Sequence, residues 1–229
     1  LINVVDASLL GRSLELTLQL LELEVPMVLC LNMMDEARRK GIQIDHQKLS
    51  KILGIPVIPT IAKTGKGLKE LFHEALHVYE EKTIGINLKF SKDIEEVISQ
   101  TTSLLHHKGL SEKKVPLRFL AIKLLEDDPL FLNEIQGNNE VVDQIRTFQK
   151  KLGEAHGVPS DQVLSSERHA LAMNLFEQVA TVIHPPERDI RMVIDQWVMH
   201  PFLGYVILAI VFYAFFNFIF GIGGYVEKP

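Results

Sequence analysis

The sequence predicts three successive parts: an α/β segment with an open parallel sheet, a small all-α domain, and one transmembrane helix. Short apolar runs alternate with helical periodicity over residues 1–83, which is typical of parallel strands joined by crossover helices. Residues 84–186 carry helical periodicity alone, interrupted by glycines and prolines. A run of 19 uncharged residues, 202–220, is long enough to cross the hydrocarbon core of a bilayer as a helix.

The first part is predicted to contain three strands and three helices. Continuous apolar runs suit strands that are buried on both faces, at residues 1–5, 25–31 and 55–59. Helices are expected from the spacing of apolar residues over 13–23, 45–53 and 68–81.

The second part is predicted to hold about five helices between residues 90 and 183. Their ends are indicated by the glycines and prolines at Gly109, Pro116, Pro129, Gly137 and the run Gly157-Val-Pro159. These breaks divide the region into segments of ordinary helix length, so we expect a compact helical domain.

The third part is predicted to comprise an interfacial segment over residues 187–201 and a transmembrane helix over 202–222. Trp197 and Tyr225 would lie near the two membrane interfaces, where such side chains are enriched. Arg188 and Arg191 precede the span and only Lys228 follows it, which favours a cytoplasmic location for residues 1 to about 200.

Composition limits the possible functions. The net charge of −5 gives no electrostatic basis for binding nucleic acid. The single cysteine, Cys30, excludes an intramolecular disulfide. Since the chain begins at Leu1 inside an apolar run, without an initiator methionine or a signal sequence, we expect a fragment that has lost its N-terminus.

The most informative motif is Asn32-Met-Met-Asp35, at the end of the second predicted strand. A carboxylate can accept both adjacent donors of guanine, N1–H and N2–H₂, so Asp35 is predicted to select that base. Asn32 could donate to guanine N7 and tie neighbouring loops together. The run Asn3-Val-Val-Asp6 has the same spacing, but Asn3 lies inside a strand, where its side chain would face a sheet surface.

A second loop follows the next strand, at Thr60-Ile-Ala-Lys-Thr-Gly-Lys-Gly67. It resembles the loop of G proteins that offers a backbone N–H to guanine O6 and an aliphatic stem to the ring, roles that Ala62 and Lys63 would fill. Ile61 replaces the serine usual there, and the segment could also be an ordinary strand-to-helix turn. Together the two loops favour a guanine-nucleotide site over a chance match.

The phosphate-binding half of such a site is missing from the sequence. No run of the form Gly-x-x-x-x-Gly-Lys-Ser/Thr is present, so neither a phosphate loop nor its Mg²⁺-binding hydroxyl is available. We therefore assign no catalytic and no metal-binding residue, and hydrolysis of GTP by this chain alone is not expected. Removal of the first strand and its helix should also expose an apolar face of the sheet.

Several segments together resemble the ferrous iron transport protein B family, which are bacterial Fe²⁺ transporters with a fused P-loop-type G domain. The segments are residues 3–7, 18–22, 31–35, 54–59 and 194–204. The resemblance implies a GTP- or GDP-binding domain that uses Mg²⁺, a helical regulatory spacer, and a multi-pass inner-membrane domain that transports Fe²⁺. It assigns Asn32 and Asp35 to the base and places Ala62 and Lys63 at its border. Met33, unusual among G proteins, is common in this family.

Other interpretations remain open from the sequence. The chain could belong to a membrane-anchored regulatory GTPase that transports nothing, or to a non-catalytic helical interaction module, and a homo-oligomer is possible.

His73-Glu-Ala-Leu-His77 also matches a zinc-protease motif. The apolar stripe predicted for that helix places both histidines on its polar side, and we find no convincing third ligand. Its members are Leu68, Leu71, Phe72, Ala75, Leu76 and Tyr79.

Overall fold

The computed structural model describes residues 1–110, 115–135, 137–183 and 197–226, with side chains described as far as residue 219. The chain divides into two compact units, Leu1–Ile183 and His184–Pro229. The first unit contains the predicted sheet and the predicted helical domain, and the second contains the uncharged run.

The first unit is built on a parallel sheet of three strands, β1 (Ile2–Asp6), β2 (Val28–Asn32) and β4 (Val57–Pro59), in the order β1-β2-β4. Helix α1 (Leu10–Leu21) connects β1 to β2, and α4 (Leu68–Glu81) follows β4. The predicted open parallel sheet is therefore confirmed, with each strand near its expected position.

Strand β2 is the centre of the sheet and is buried on both faces, which explains its continuous apolar sequence. Leu29 and Leu31 join the core on the α1 side. Val28 and Cys30 belong to the smaller core beneath α4. Alternate residues of one strand thus serve two separate layers of helices.

Two short elements between β2 and β4 were not predicted: α2 (Met34–Arg39) and β3 (Ile42–Ile44). Each is too short to show a hydrophobic period, so the sequence pattern could not identify them. Helix α3 (His46–Leu53) follows; the Asp45 side chain caps its first turn and Gly54 ends it in a left-handed conformation, with φ 67°.

The predicted helical domain contains five helices among the described residues. They are α5 (Lys92–His107), α6 (Leu117–Leu125), α7 (Pro129–Ile135), α8 (Asn139–His156) and α9 (Ser160–Val179). The helices α5 to α8 enclose an apolar cluster of their own, to which the first turns of α9 contribute Val163 and Leu164.

The C-terminal half of α9 returns to the sheet instead of completing the helical domain. Ala172, Leu175 and Val179 are buried in the same core as α1 and β2. The chain then forms β5 (Ala180–Val182), which pairs antiparallel with β3. This return is a contact between distant parts of the sequence, so local periodicity carried no sign of it.

A buried ion cluster lies where the sheet, the helical domain and α9 meet. Arg168 on α9 is only 3% exposed, and its Nη2 lies 2.7 Å from Glu126 Oε1 and 3.5 Å from Glu22 Oε1. The guanidinium also lies over the Phe90 ring, 5.9 Å from its centroid. Burial raises the pKa of Glu22, although the charge of Arg168 opposes that shift.

Helix α4 has the predicted bounds, but its predicted apolar stripe was partly wrong. Leu71 and Val78 are buried, and Leu68 and Ala75 are partly buried against the sheet. Three members of the predicted stripe are instead exposed: Phe72, Leu76 and Tyr79. Periodicity identifies a residue as apolar but does not show whether a neighbouring element covers it.

The exposed residues of α4 share a layer with the outer strand. Ile2 and Val4 pair in register with Val28 and Cys30, so their side chains lie on the α4 side of the sheet, and both are exposed. Tyr79 lines a cavity of about 570 Å³ together with Leu1. The expected uncovered apolar face is therefore present; we call it the open face, comprising Ile2, Val4, Phe72, Leu76 and Tyr79.

Each of the two histidines of α4 lies beside a glutamate of the same helix. His73 lies 3.6 Å from Glu74 and His77 lies 3.3 Å from Glu81, both at the surface. Among the described residues, no group of three or more His, Cys, Asp or Glu side chains could hold a metal ion.

The described part of the second unit includes one long helix, α10 (Leu203–Val226). His200 caps its first turn, because Nδ1 accepts from the N–H groups of Phe202 and Leu203 at 3.3 and 3.2 Å. None of the helices that the structure describes combines the length and the apolar character that a membrane span requires. The predicted transmembrane helix over 202–222 is therefore not confirmed.

Most of the predicted interfacial segment lies outside the described residues. Arg188, Arg191 and Lys228 fall in the omitted ranges, and the Tyr225 side chain is not described. Trp197 is described and is exposed.

Substitutions on α4 test whether the open face causes self-association. Replacing Phe72 and Leu76, which are 59% and 65% exposed, with glutamine should reduce self-association in sedimentation velocity and change the melting temperature little. Leu71→Gln on the same helix is the matched control, and it should destabilise the chain strongly because Leu71 is buried. Unchanged association in the double variant would contradict this account.

Candidate functional site

The candidate site lies at the carboxyl ends of the three parallel strands. Asp6 pairs in register with Asn32, and Leu31 with Pro59, so the loops that follow the strands emerge along one edge. Open α/β sheets bind ligands at this edge. The two predicted motifs therefore meet, although Ala62 comes 27 positions after Asp35.

Asn32 joins the two loops through its side-chain oxygen. Its Oδ1 accepts from the backbone N–H of Ala62 at 3.0 Å and from the hydroxyl of Thr60 at 3.2 Å. A backbone N–H can only donate, so the accepting atom must be the amide oxygen, and the Nδ2 group is left available to donate. The predicted role of Asn32 in tying neighbouring loops together agrees with this geometry.

Thr60 is a residue of this site that the sequence reasoning missed. It is only 1% exposed, and its hydroxyl lies 3.2 Å from Cys30 Sγ as well as from Asn32. Because the one hydroxyl proton is donated to Asn32, the thiol of Cys30 must donate to Thr60. A hydrogen-bonded chain thus runs from Cys30 through Thr60 to Asn32.

The backbone of Thr60 also holds the two loops in place. Its N–H donates to the carbonyl of Leu31 at 2.8 Å, and its carbonyl accepts from the N–H of Met34 at 3.4 Å. Threonine at this position could have been identified only by knowing that it faces Asn32 across the strand ends.

Asp35 is positioned by a sharp turn of the backbone. Met33 has a left-handed conformation, with φ 62° and ψ 35°, which is uncommon for a residue with a side chain. The turn directs Met34 into the core and leaves Asp35 exposed in the first turn of α2. Within the described residues, no hydrogen bond or ion pair occupies the Asp35 carboxylate.

The second loop is a short 3-10 turn over Ala62–Thr64, and both Ala62 and Lys63 are exposed. Ile61 pairs with Lys66 and closes the loop, donating its N–H to the Lys66 carbonyl at 3.0 Å. The N–H of Ala62 is already used by Asn32, so a ligand oxygen would have to share it.

Gly67 is required for the shape of this loop. Its φ is 79°, and a Cβ atom there would collide with the carbonyl oxygen of Pro59. Glycine alone tolerates both the conformation and the close approach.

The second match to the Asn-x-x-Asp pattern is structural, as its strand context predicted. Asn3 is buried, and its Nδ2 donates to the Thr17 hydroxyl at 2.8 Å, which fixes α1 to β1. Asp6 accepts from the N–H of Ser8 at 2.7 Å and caps the turn before α1.

The parallel sheet and its two loops have the arrangement of a G domain, and a helical domain follows it. Two family models match the chain: ferrous iron transport protein B over residues 1–75, and the FeoB cytosolic helical domain over residues 90–181. The chain belongs to the ferrous iron transport protein B family.

Individual relatives agree with the family models. The Fe(2+) transporter FeoB of Staphylococcus aureus strain COL is 33% identical over 218 residues, which are 95% of this chain and 32% of that protein. The chain therefore spans about a third of the length of the curated relatives it matches.

Solved structures match the fold as well. A variant of S. thermophilus NFeoB bound to GDP aligns with a TM-score of 0.69 at 30% identity, covering 79% of this chain and 68% of that chain. The cytosolic domain of L. pneumophila FeoB aligns with a TM-score of 0.65 at 30% identity, with coverages of 79% and 67%.

Thr60→Val tests the hydrogen-bonded chain beneath the site. Valine has a similar shape but no hydroxyl, so the free energy of unfolding should fall by about 1 kcal/mol or somewhat more in urea denaturation. Thr60→Ser retains the hydroxyl and serves as the control, with a smaller loss. Equal losses in the two variants would show that packing, not the hydroxyl, matters at this position.

Proposed function

We propose that this chain is the base-recognition part of the GTP-binding domain, with its helical domain, of a bacterial Fe²⁺ transporter. One observation carries the proposal: the exposed carboxylate of Asp35, without a partner among the described residues, lies three residues beyond an asparagine that joins the two loops. The Asp35 carboxylate can thus accept hydrogen bonds from one edge of a base, and the Asn32 Nδ2 group can donate to another edge. Both groups lie at the carboxyl ends of the parallel strands.

Asp35 is the residue we propose to select guanine. A carboxylate accepts from N1–H and from the exocyclic N2–H₂ of guanine at once, and hydrogen bonds to a charged group are stronger than neutral ones. Adenine has no such pair of donors. The exposure of Asp35 supports this role, because a base could approach the carboxylate without breaking an existing ion pair.

The remaining contacts would orient the base. The Nδ2 group of Asn32 would donate to N7, while its Oδ1 keeps Ala62 in place. Ala62 would share its N–H with O6, and the aliphatic stem of Lys63 would cover one face of the ring. Met33 is 42% exposed and would offer its thioether to the same nucleotide.

The phosphates and Mg²⁺ would be held by residues outside this chain. Its 229 residues contain no phosphate-loop sequence, and it covers 68% of a solved relative bound to GDP. We propose that the rest of the domain covers the open face and supplies those groups, and that the intact protein is a GTPase. Among the described residues β1 lies at the edge of its sheet, and apolar side chains of α4 are exposed; both observations support this.

We further propose that residues 1 to about 200 are cytoplasmic and that the apolar segment 202–222 belongs to the membrane domain of a multi-pass inner-membrane transporter. The support is the uncharged run of 19 residues and the greater length of the Fe²⁺ transporters that this chain matches. Fe²⁺ would be the transported ion, and its ligands would lie in that membrane domain.

Nucleoside binding to this chain tests base recognition without requiring the phosphate site. In NMR titrations, guanosine should bind weakly but saturably, and adenosine should bind at least about tenfold more weakly, since the hydrogen bonds to a charged acceptor are lost. Asp35→Asn should abolish the preference for guanosine and favour xanthosine, whose C2 carbonyl can accept from the new amide.

Asp6→Asn is the matched control, because Asp6 has the same sequence spacing from Asn3 and already caps a turn. Asparagine can also cap, so this variant should bind guanosine like the unmodified chain. Equal binding of adenosine and guanosine, or no effect of Asp35→Asn, would contradict the proposed base recognition.

A further inference from the structure

The β3–β5 ribbon, formed by residues 42–44 and 180–182, joins the end of the first unit to the middle of the G-domain part. Gln43 pairs with Thr181, and the flanking pairs are Ile42 with Val182 and Ile44 with Ala180. Backbone hydrogen bonds extend the ribbon at both ends, from Ile183 N to Gly41 O at 3.0 Å and from Asp45 N to Val179 O at 2.8 Å.

The ribbon adjoins the helix that carries Asp35. Helix α2 has only six residues, and a helix of that length has no stability of its own in water. Its position therefore depends on its surroundings: Met34 and Ala37 are buried in the core, and Lys40 donates to the Ser8 hydroxyl at 3.1 Å. Beyond Gly41 the chain enters β3, so the ribbon holds the C-terminal end of α2.

Strand β5 is itself anchored to the same core. Val179 and Leu175, immediately before the strand, are buried in the cluster that contains Met34 and Ala37. Lys48 on α3 donates to the carbonyl of Gln178 at 2.8 Å. The docked strand is thus tied to the helices on either side of β3.

We propose that β5 is a positioning element of the base site: by adding to β3 it fixes α2, and thereby Asp35, for the ligand. Since coupling between two equilibria is reciprocal, a base bound at Asp35 would in turn stabilise the docking of β5. The identity of the ligand, a guanine base, rests on the proposed function, whereas the structural link between β5 and α2 does not.

The ribbon geometry provides a matched pair of proline variants. In an antiparallel pair of strands, hydrogen-bonded residue pairs alternate with pairs that are not hydrogen-bonded. The pairs at the two ends of the ribbon, 41 with 183 and 45 with 179, are hydrogen-bonded. The central pair, Gln43 with Thr181, is therefore hydrogen-bonded as well.

The N–H of Thr181 consequently points to β3, and that of Val182 points away. Both side chains are exposed, so Thr181→Pro removes a ribbon hydrogen bond and Val182→Pro does not.

Hydrogen exchange of the full chain, measured by mass spectrometry, tests the link directly. Thr181→Pro should raise exchange several-fold in residues 34–39 as well as in 42–44, while the helices α5 to α8 keep their protection. Val182→Pro should exchange like the unmodified chain in all three regions. If Thr181→Pro opens 42–44 and leaves 34–39 unchanged, β5 is only a terminal clamp and the proposal is wrong.

Guanosine titration of the same variants tests the ligand part. Thr181→Pro should weaken guanosine binding several-fold, and Val182→Pro should not; equal binding by the two variants would overturn the coupling. If the unmodified chain binds no guanosine, the proposed function fails, while the exchange experiment still decides whether β5 positions α2. If Thr181→Pro no longer melts cooperatively, Thr181→Gly replaces it. Glycine keeps the N–H and weakens the strand less than proline does, so hydrogen exchange in residues 34–39 and 42–44 should increase by a smaller factor.

Discussion

The packing of α9 against α1 is the contact on which the rest of the first unit depends. A sheet of three strands with one open face buries little on its own. The missing apolar contacts come from Ala172, Leu175 and Val179, more than 130 residues further along the chain than β2. Closure is therefore non-local, and the two loops at the end of the sheet are held by a core to which the last helix of the unit contributes.

Arg168 makes this closure specific. A guanidinium that is 3% exposed must be paired, and its partners Glu22 and Glu126 belong to the sheet part and the helical domain respectively. Removing either carboxylate would leave a buried charge with fewer partners, so the two parts and α9 are fixed in one arrangement.

The candidate site combines three segments that are distant in sequence. The end of β2 supplies Asn32 and Asp35, the loop after β4 supplies Thr60 and Ala62, and the β3–β5 ribbon follows the helix that carries Asp35. Only the first two segments share a hydrogen-bond network. The third acts through the backbone, which is why side-chain motifs do not reveal it.

The sequence predicted those features that follow from local periodicity or from the position of a motif in a strand. Burial of β2 on both faces, the bounds of α4, the five helices and the contrast between Asn3 and Asn32 are of this kind. The features it missed need partners from elsewhere in the chain: Thr60 matters because Asn32 faces it, and β3 exists because β5 pairs with it. The apolar stripe of α4 was partly wrong because periodicity identifies apolar residues but not whether a neighbour covers Phe72 or Leu76.

Isotope-resolved NMR of the full chain with GDP tests whether the two loops form one guanine site. If they do, amide signals of residues 32–35 and 60–63 should shift together and saturate at one ligand concentration. Signals of Asn3 and Thr17, which form the structural counterpart, should stay in place. Shifts confined to the lysine-rich turn 63–69 would instead indicate that surface charge attracts the phosphates, and would show that the two loops do not form one guanine site.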